Sequence, residues 1–179
     1  ENSRICVIDT NIPGDVIHYV LDNFKNTRFF LDTVSSTKAL KIKNKIGAFH
    51  TIKPNRIEAE LLSDLKIESA HDLERAAEYF LGQGVKRVFI TLGSEGVFYH
   101  DGNASRLISN PEVRVVNATG AGDAFLAALA FSDFNDYGID ESARFAMAAA
   151  ILAISCEETI NPNISKENVN KKMKEIGLC

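Results

Sequence analysis

Short blocks of branched and aromatic residues alternate along this chain with longer stretches in which apolar side chains recur every three or four positions. Ile5-Cys6-Val7-Ile8 is the first block, an unbroken apolar run of the kind that fills an interior strand of a parallel sheet. A helix over 13–24 follows, then a second strand over 27–31 that ends at Asp32-Thr33. The lysine-containing segment to about 46 reads as helical, and 50–53 as a strand that Pro54 breaks. Asn55 opens a short helix through 62. Ser69, with Asp72 three residues on, starts another, in which Leu73, Ala76, Ala77, Phe80 and Leu81 keep helical spacing until Gly82 or Gly84 ends it. Residues 85–92 are rich in β-branched side chains and form the next strand, and Asp101-Gly102 joins 96–100 to 104–108 as a hairpin. A strand over 113–116 runs into a Gly-rich turn and an apolar helix. Asp140 and Ser165 cap two final helices, through about 155 and 176.

This alternation predicts an α/β fold with a mostly parallel sheet covered on both faces and a late antiparallel hairpin. Ligands in such sheets lie beyond the carboxyl ends of the strands, where Asp9, Asp32, Asn55 and Gly93 fall. A length of 179 residues with 45% hydrophobic content supports one domain with a substantial core. Natural chains rarely begin so abruptly with a core strand, which suggests a piece of a longer protein. A formal charge of −4 argues against a nucleic-acid partner. The lysines of 38–45 and 166–174 read as solvated faces. Three cysteines without Cys-x-x-Cys spacing (Cys6, Cys156 and Cys179) fit reduced thiols in a cytoplasmic protein, and the scattered His18, His50, His71 and His100 make zinc an unsuitable guess. The longest nearly uncharged apolar stretch, 145–154, is too short to span a bilayer.

Candidate chemistry concentrates at Val115-Val116-Asn117-Ala118-Thr119-Gly120-Ala121-Gly122-Asp123-Ala124-Phe125. A Gly-rich turn before a helix presents unpaired amide groups and the positive end of the dipole to an anion. Asp123, in that first turn, is odd as an anion binder and sensible as a base beside one; a dipole-stabilising acid is the plainer alternative. Lys53-Pro54-Asn55-Arg56-Ile57-Glu58-Ala59 pairs Asn55 with Glu58 at capping-box spacing, and the same side chains could face phosphate and magnesium. Thr91-Leu92-Gly93-Ser94-Glu95-Gly96 is either an ordinary turn or a loop that lets backbone approach a nucleotide. Neither a Gly-x4-Gly-Lys-Ser/Thr loop nor a Gly-x-Ser-x-Gly elbow is present. The 144–150 helix, with Met147, is explained by packing of small side chains alone.

The run from Asn117 to Phe125 closely resembles the second signature of the ribokinase-like (phosphofructokinase B) carbohydrate kinases, approximately Asp-Thr-x-Gly-Ala-Gly-Asp-x-Phe. The Pro-Asn-x-x-Glu-Ala and Thr-Leu-Gly-x-x-Gly segments resemble two further motifs of that family. The resemblance implies a ribokinase-like three-layer sandwich and phosphoryl transfer from ATP to a small-molecule sugar or nucleoside hydroxyl. It implies Asp123 as catalytic base and Gly120, Ala121 and Gly122 as the anion hole. Asn55, Thr91, Gly93, Gly96, Thr119 and Met147 then contact nucleotide, and Glu58 orders water around Mg2+. Asn117 stands where most of the family has Asp, near its monovalent-cation site, so dependence on K+ stays open.

Residues 32–39, 48–55 and 157–165 look like the pseudouridine kinases within the group, which makes the 5′-hydroxyl of pseudouridine the expected acceptor. By the same resemblance, residues 1–179 are the C-terminal part of a kinase domain, with the substrate-gripping residues and β-sheet lid upstream. Ribose or another nucleoside is the alternative substrate. A non-catalytic nucleotide-binding module, or a homodimer paired through exposed sheet edges, is the alternative of another class.

Overall fold

The apolar runs become four parallel strands, β1 (Ile5–Asp9), β2 (Arg28–Asp32), β3 (Thr51–Lys53) and β4 (Arg87–Thr91), hydrogen-bonded neighbours in that order. β5 (Val97–His100) runs antiparallel to β4, and β6 (Ser105–Ile108) completes a sheet of order β1-β2-β3-β4-β5-β6. The computed structural model describes residues 3–113, 115–117, 119–158 and 160–178. It divides into two units, Glu1–Leu107 and Ile108–Cys179.

In the first unit, successive parallel neighbours joined by right-handed crossovers put their connecting helices on one face. These are α1 (Gly14–Asn23), α2 (Ser36–Ala39) with the 3-10 segment Leu40–Ala48, α3 (Arg56–Ser63) and α4 (Ala70–Gln83). Strand side chains alternate accordingly. Ile8, Phe29, Leu31, Ile52, Val88 and Ile90 join Ile17, Leu21, Ile42, Leu62, Leu73 and Phe80 in one core. Phe30 and Phe89 sit out of phase with that set and are also fully buried, Phe30 stacked on His50 at 5.8 Å. Burying each such ring stabilises by about 1.5–3 kcal/mol.

Two expectations for this unit change, and one open choice is settled. β1 is the end strand of the described sheet, and Val7 is 51% exposed; an apolar run encodes strand propensity but not the number of neighbours. The lysine segment is one α-helical turn followed by a 3-10 stretch, and its lysines, exposed at 41 and half-buried at 38, 43 and 45, are tied down at the surface. Lys41 Nζ donates to Thr10 O at 3.1 Å, Lys43 Nζ pairs with Asp64 at 2.7 Å, and Lys45 Nζ with Asp22 at 2.8 Å. Of the two candidate glycines, Gly84 (φ 119) closes α4, where it lies against Gly47.

The second unit holds α5 (Ala121–Phe134), α6 (Ile139–Ile154) and α7 (Lys166–Glu175). α5 and α6 pack through small residues, with Phe131 stacked on Phe145 at 5.4 Å. The strand expected over 113–116 is absent among the described residues: Val113, Val115 and Val116 are in irregular backbone, and Arg114 lies outside the described residues. Val115 and Val116 are exposed, so β-branching alone found no sheet to join. Instead Val116 N–H and Asn117 N–H both donate to Ile154 O, at 2.8 and 3.2 Å. Gly138 rather than Asp140 caps α6, and Asp140 pairs with Arg144 one turn on. Ser165 does cap α7, accepting from Asn168 N–H at 3.2 Å. No described helix is long and apolar enough to cross a membrane.

Candidate functional site

In the second unit the turn before α5 is built around Asn117. Its Oδ1 accepts Thr119 N–H at 2.9 Å, and its Nδ2 donates to Glu157 O at 3.0 Å. Exchanging the two amide atoms would set N–H against N–H and oxygen against oxygen, so the orientation is fixed by its partners. Ala118, inside the motif, lies outside the described residues, as does Thr159. The chain then enters α5 through Gly120 at φ 85, a conformation only glycine adopts without strain. The first helical hydrogen bond is Ala124 N–H to Gly120 O at 2.9 Å. The amides of Ala121, Gly122 and Asp123 precede it, the orphan donors of a helix start.

Asp123 belongs to this same turn and is exposed. With Gly120 it lines one end of a cavity of about 770 Å³ that continues between α5 and α6 toward the start of α7. Ala124, Ala127, Ala128 and Phe131 line it from α5, and Phe145, Ala149 and Ala153 from α6. Asn161, Ile164 and Lys166 line it from the segment that leads into α7. The α6 residues are spaced by four and share a face. Met147 falls on another face, is buried, and is not among the cavity's lining residues. Thr119 is exposed in the turn. The sequence signal for Phe145, Ala149 and Ala153 was this i, i+4 ladder, which packing also explains.

The first unit supplies the strand-end residues. Asn55 caps α3, accepting Glu58 N–H at 2.9 Å, while Asn55 N–H donates to Glu58 Oε2 at 2.9 Å. The Thr33 hydroxyl, at the end of β2, donates to that same oxygen. Glu58 is buried, and its Oε1 lies outside the described hydrogen bonds. Asn55 and Thr91, predicted from separate motifs, meet in a parallel bridge, with Thr91 N–H donating to Pro54 O at 2.9 Å. Gly93 (φ 61) and Gly96 (φ 118) shape the following turn, Gly93 exposed and Gly96 buried. Arg56 ties α3 to this turn through Glu95 at 2.8 Å. Sequence reasoning missed Thr33 and Lys53. Lys53 is 7% exposed, its Nζ 3.2 Å from Asp32 Oδ2; such cross-strand pairs leave no mark in local spacing.

The donor sets discriminate between cations. No group of three His, Cys, Asp or Glu capable of caging a metal occurs among the described residues. Magnesium keeps most of its shell as water and phosphate oxygen, so the one spare carboxylate oxygen of Glu58 fits it. At Asn117 the side chain offers a monovalent cation no carboxylate. The amide nitrogen carries its protons toward a carbonyl and is no ligand, where a carboxylate oxygen would be.

Comparison with known proteins supplies a context. Residues 2–166 match the model of the pfkB family of carbohydrate kinases. Escherichia coli pseudouridine kinase is 37% identical over 170 residues, which cover 94% of this chain and 54% of that protein. A Clostridium perfringens crystal structure superposes with TM-score 0.93 at 43% identity, over 97% of this chain and 55% of that one. Arabidopsis thaliana ribokinase, solved with ribose and ATP, gives 0.82 at 26% identity, over 97% and 56%. The chain thus spans about half the length of these relatives.

Proposed function

This chain belongs to the pfkB family of carbohydrate kinases, and on that footing we propose that the whole protein transfers the terminal phosphoryl group of ATP to the 5′-hydroxyl of pseudouridine. The observation that carries the reading is the placement of Asp123 in the same helical turn as the free amides after Gly120, at the mouth of a cavity. A base must accept a proton where negative charge is also gathering, and one turn of α5 offers both.

In this reading Asp123 takes the hydroxyl proton of the acceptor as its oxygen bonds to phosphorus and ADP departs. The Gly120-Ala121-Gly122 backbone donates to the phosphoryl oxygens during transfer. Asn55, Thr91, Gly93, Gly96, Thr119 and Met147 are the residues this reading assigns to the nucleotide. Glu58 would hold magnesium through water, and the ion would supply neutralisation of phosphate charge. Pseudouridine is preferred over ribose because similarity to the E. coli pseudouridine kinase covers 94% of the chain, whereas that to Haemophilus influenzae ribokinase covers 58%.

Asp123→Asn tests the core of the reading. It keeps size and hydrogen-bonding capacity but cannot take the proton. In the longest native polypeptide containing these residues, turnover falls by about 10²–10⁴ while the Kd for MgATP holds within a few-fold. Activity within a few-fold of wild type removes Asp123 from the role. Running pseudouridine, uridine and ribose in parallel identifies the acceptor.

A further inference from the structure

Thr10 and Thr33, to which the mechanism above gives no role, follow β1 and β2 directly and are fully buried. A hydroxyl taken out of water costs stability unless it is paired, and these two are paired in series. Thr10 Oγ1 donates to Thr33 O at 2.6 Å, and the Thr33 hydroxyl donates to Glu58 Oε2. Thr33 O also accepts Ser35 N–H at 2.6 Å, across Val34. Val34 has φ 56, a left-handed conformation that a β-branched residue adopts only under strain. Such strain persists where the surroundings over-determine it. Here the turn leaves Val34 exposed and keeps Thr33 inside.

The start of α3 does not need the Thr33 hydroxyl. Its capping box is complete with Glu58 N–H on Asn55 Oδ1 and Asn55 N–H on Glu58 Oε2. What the box leaves loose is the carboxylate plane, because the last torsion of a glutamate is broad and either oxygen can serve the cap. A second donor on the same oxygen, from a residue 25 positions away at a strand end, removes that freedom. Oε2 is then engaged from two elements and Oε1 is turned in one direction. A cap alone gains nothing from this; a ligand of Oε1 does.

We propose that Thr33 is a positioning residue, itself held by Thr10, that sets the Glu58 carboxylate plane so that Oε1 meets the water shell of magnesium. The assignment rests on the kinase reading. Magnesium demands near-ideal octahedral geometry, so an oxygen already in place receives its water without reorganising. The hydroxyl brings no charge and touches no ligand; it acts only through Glu58.

Thr33→Val keeps the branched shape and removes the donor, whereas Thr33→Ser keeps the donor. Calorimetry on the longest native polypeptide containing these residues gives the Kd of ADP with and without Mg2+. In Thr33→Val the tightening by Mg2+ shrinks about tenfold, the loss of one hydrogen bond to a charged group, while the Kd of ADP alone holds within about twofold. Thr33→Ser keeps the tightening within about threefold of wild type. The free Mg2+ needed for half-maximal turnover rises in Thr33→Val by the same factor, and the acceptor KM is unchanged. A hydroxyl that is merely structural lowers the Tm of Thr33→Val and leaves the Mg2+ effect intact; that result overturns the proposal. If Thr33→Val does not fold, Thr10→Val decides: the Mg2+ effect shrinks about threefold, and a wild-type value overturns the proposal. Wild-type protein whose ADP affinity ignores Mg2+ removes the metal role of Glu58 and the proposal with it. Asp123→Asn tells the remaining failures apart. If Asp123→Asn is inactive and Thr33→Val keeps the full Mg2+ effect, only the role of Thr33 falls. If Asp123→Asn keeps turnover, the kinase reading itself falls.

Discussion

The Asn117 carboxamide joins three stretches of backbone: its own, the turn at Thr119 and the segment after α6 at Glu157. Asn117→Asp would put a carboxylate oxygen against the Glu157 carbonyl, so two acceptors would face each other with only a cation able to bridge them. In buffers without potassium, turnover of Asn117→Asp falls about tenfold, the effect of one unmade hydrogen bond, and added K+ restores it. Wild-type activity stays flat across the same titration. A wild-type rate rising several-fold with K+ would show that the amide does not replace the ion. Residues differ in how plainly the chain announces them. The Asn55–Glu58 box was legible because its partners are three positions apart and helix starts have few solutions. The Asp32–Lys53 pair was not, because only strand register brings residues 21 positions apart together.

At the scale of elements, helices and strands with a strong period emerged where the pattern placed them. The failures came where a partner decided the outcome. Residues 113–116 have the composition of a strand but no neighbouring strand among the described residues. The 40–48 segment has helical spacing, yet its lysines are drawn toward Thr10, Asp64 and Asp22, and it tightens to 3-10 geometry. Gly47 adds a second constraint on that segment. A methyl group there would meet Gln83 O at 1.9 Å, backbone against backbone. Gly47→Ala therefore destabilises by about 1–3 kcal/mol, the usual cost of overpacking. Gly82→Ala, where nothing lies within 4 Å and the residue is helical, stabilises by about 0.5–1 kcal/mol. Thermal denaturation of the two variants should move in opposite directions; a shared sign would mean the close approach is not maintained.

For the whole molecule, the parallel order of the strands and the late hairpin were readable because hydrophobic blocks recur at regular βα intervals. What covers the end strand was not, since a sequence block does not specify its neighbours. Four carboxylates, Asp22 and Glu175 exposed and Glu60 and Asp72 half-buried, contribute to the acid behaviour. Asp22 is held below the usual carboxylate range by Lys45, Asp72 by the Ser69 hydroxyl, Glu60 by the Ile67 N–H, and Glu175 by Lys172. Each folded pKa lies below its unfolded value, so the stabilisation is full above about pH 4–5 and fades as pH falls through the folded values. Melting temperature across an acid series should show the contribution of these groups only below that range, and replacing all four by their amides should shrink the acid limb. A limb unaltered by the amides would assign it elsewhere. The sequential order β1-β2-β3-β4 has one more consequence, for biosynthesis. No strand has to insert between two already paired, so each new strand–helix repeat can dock on the last as it leaves the ribosome, and the sheet can grow in the direction of translation.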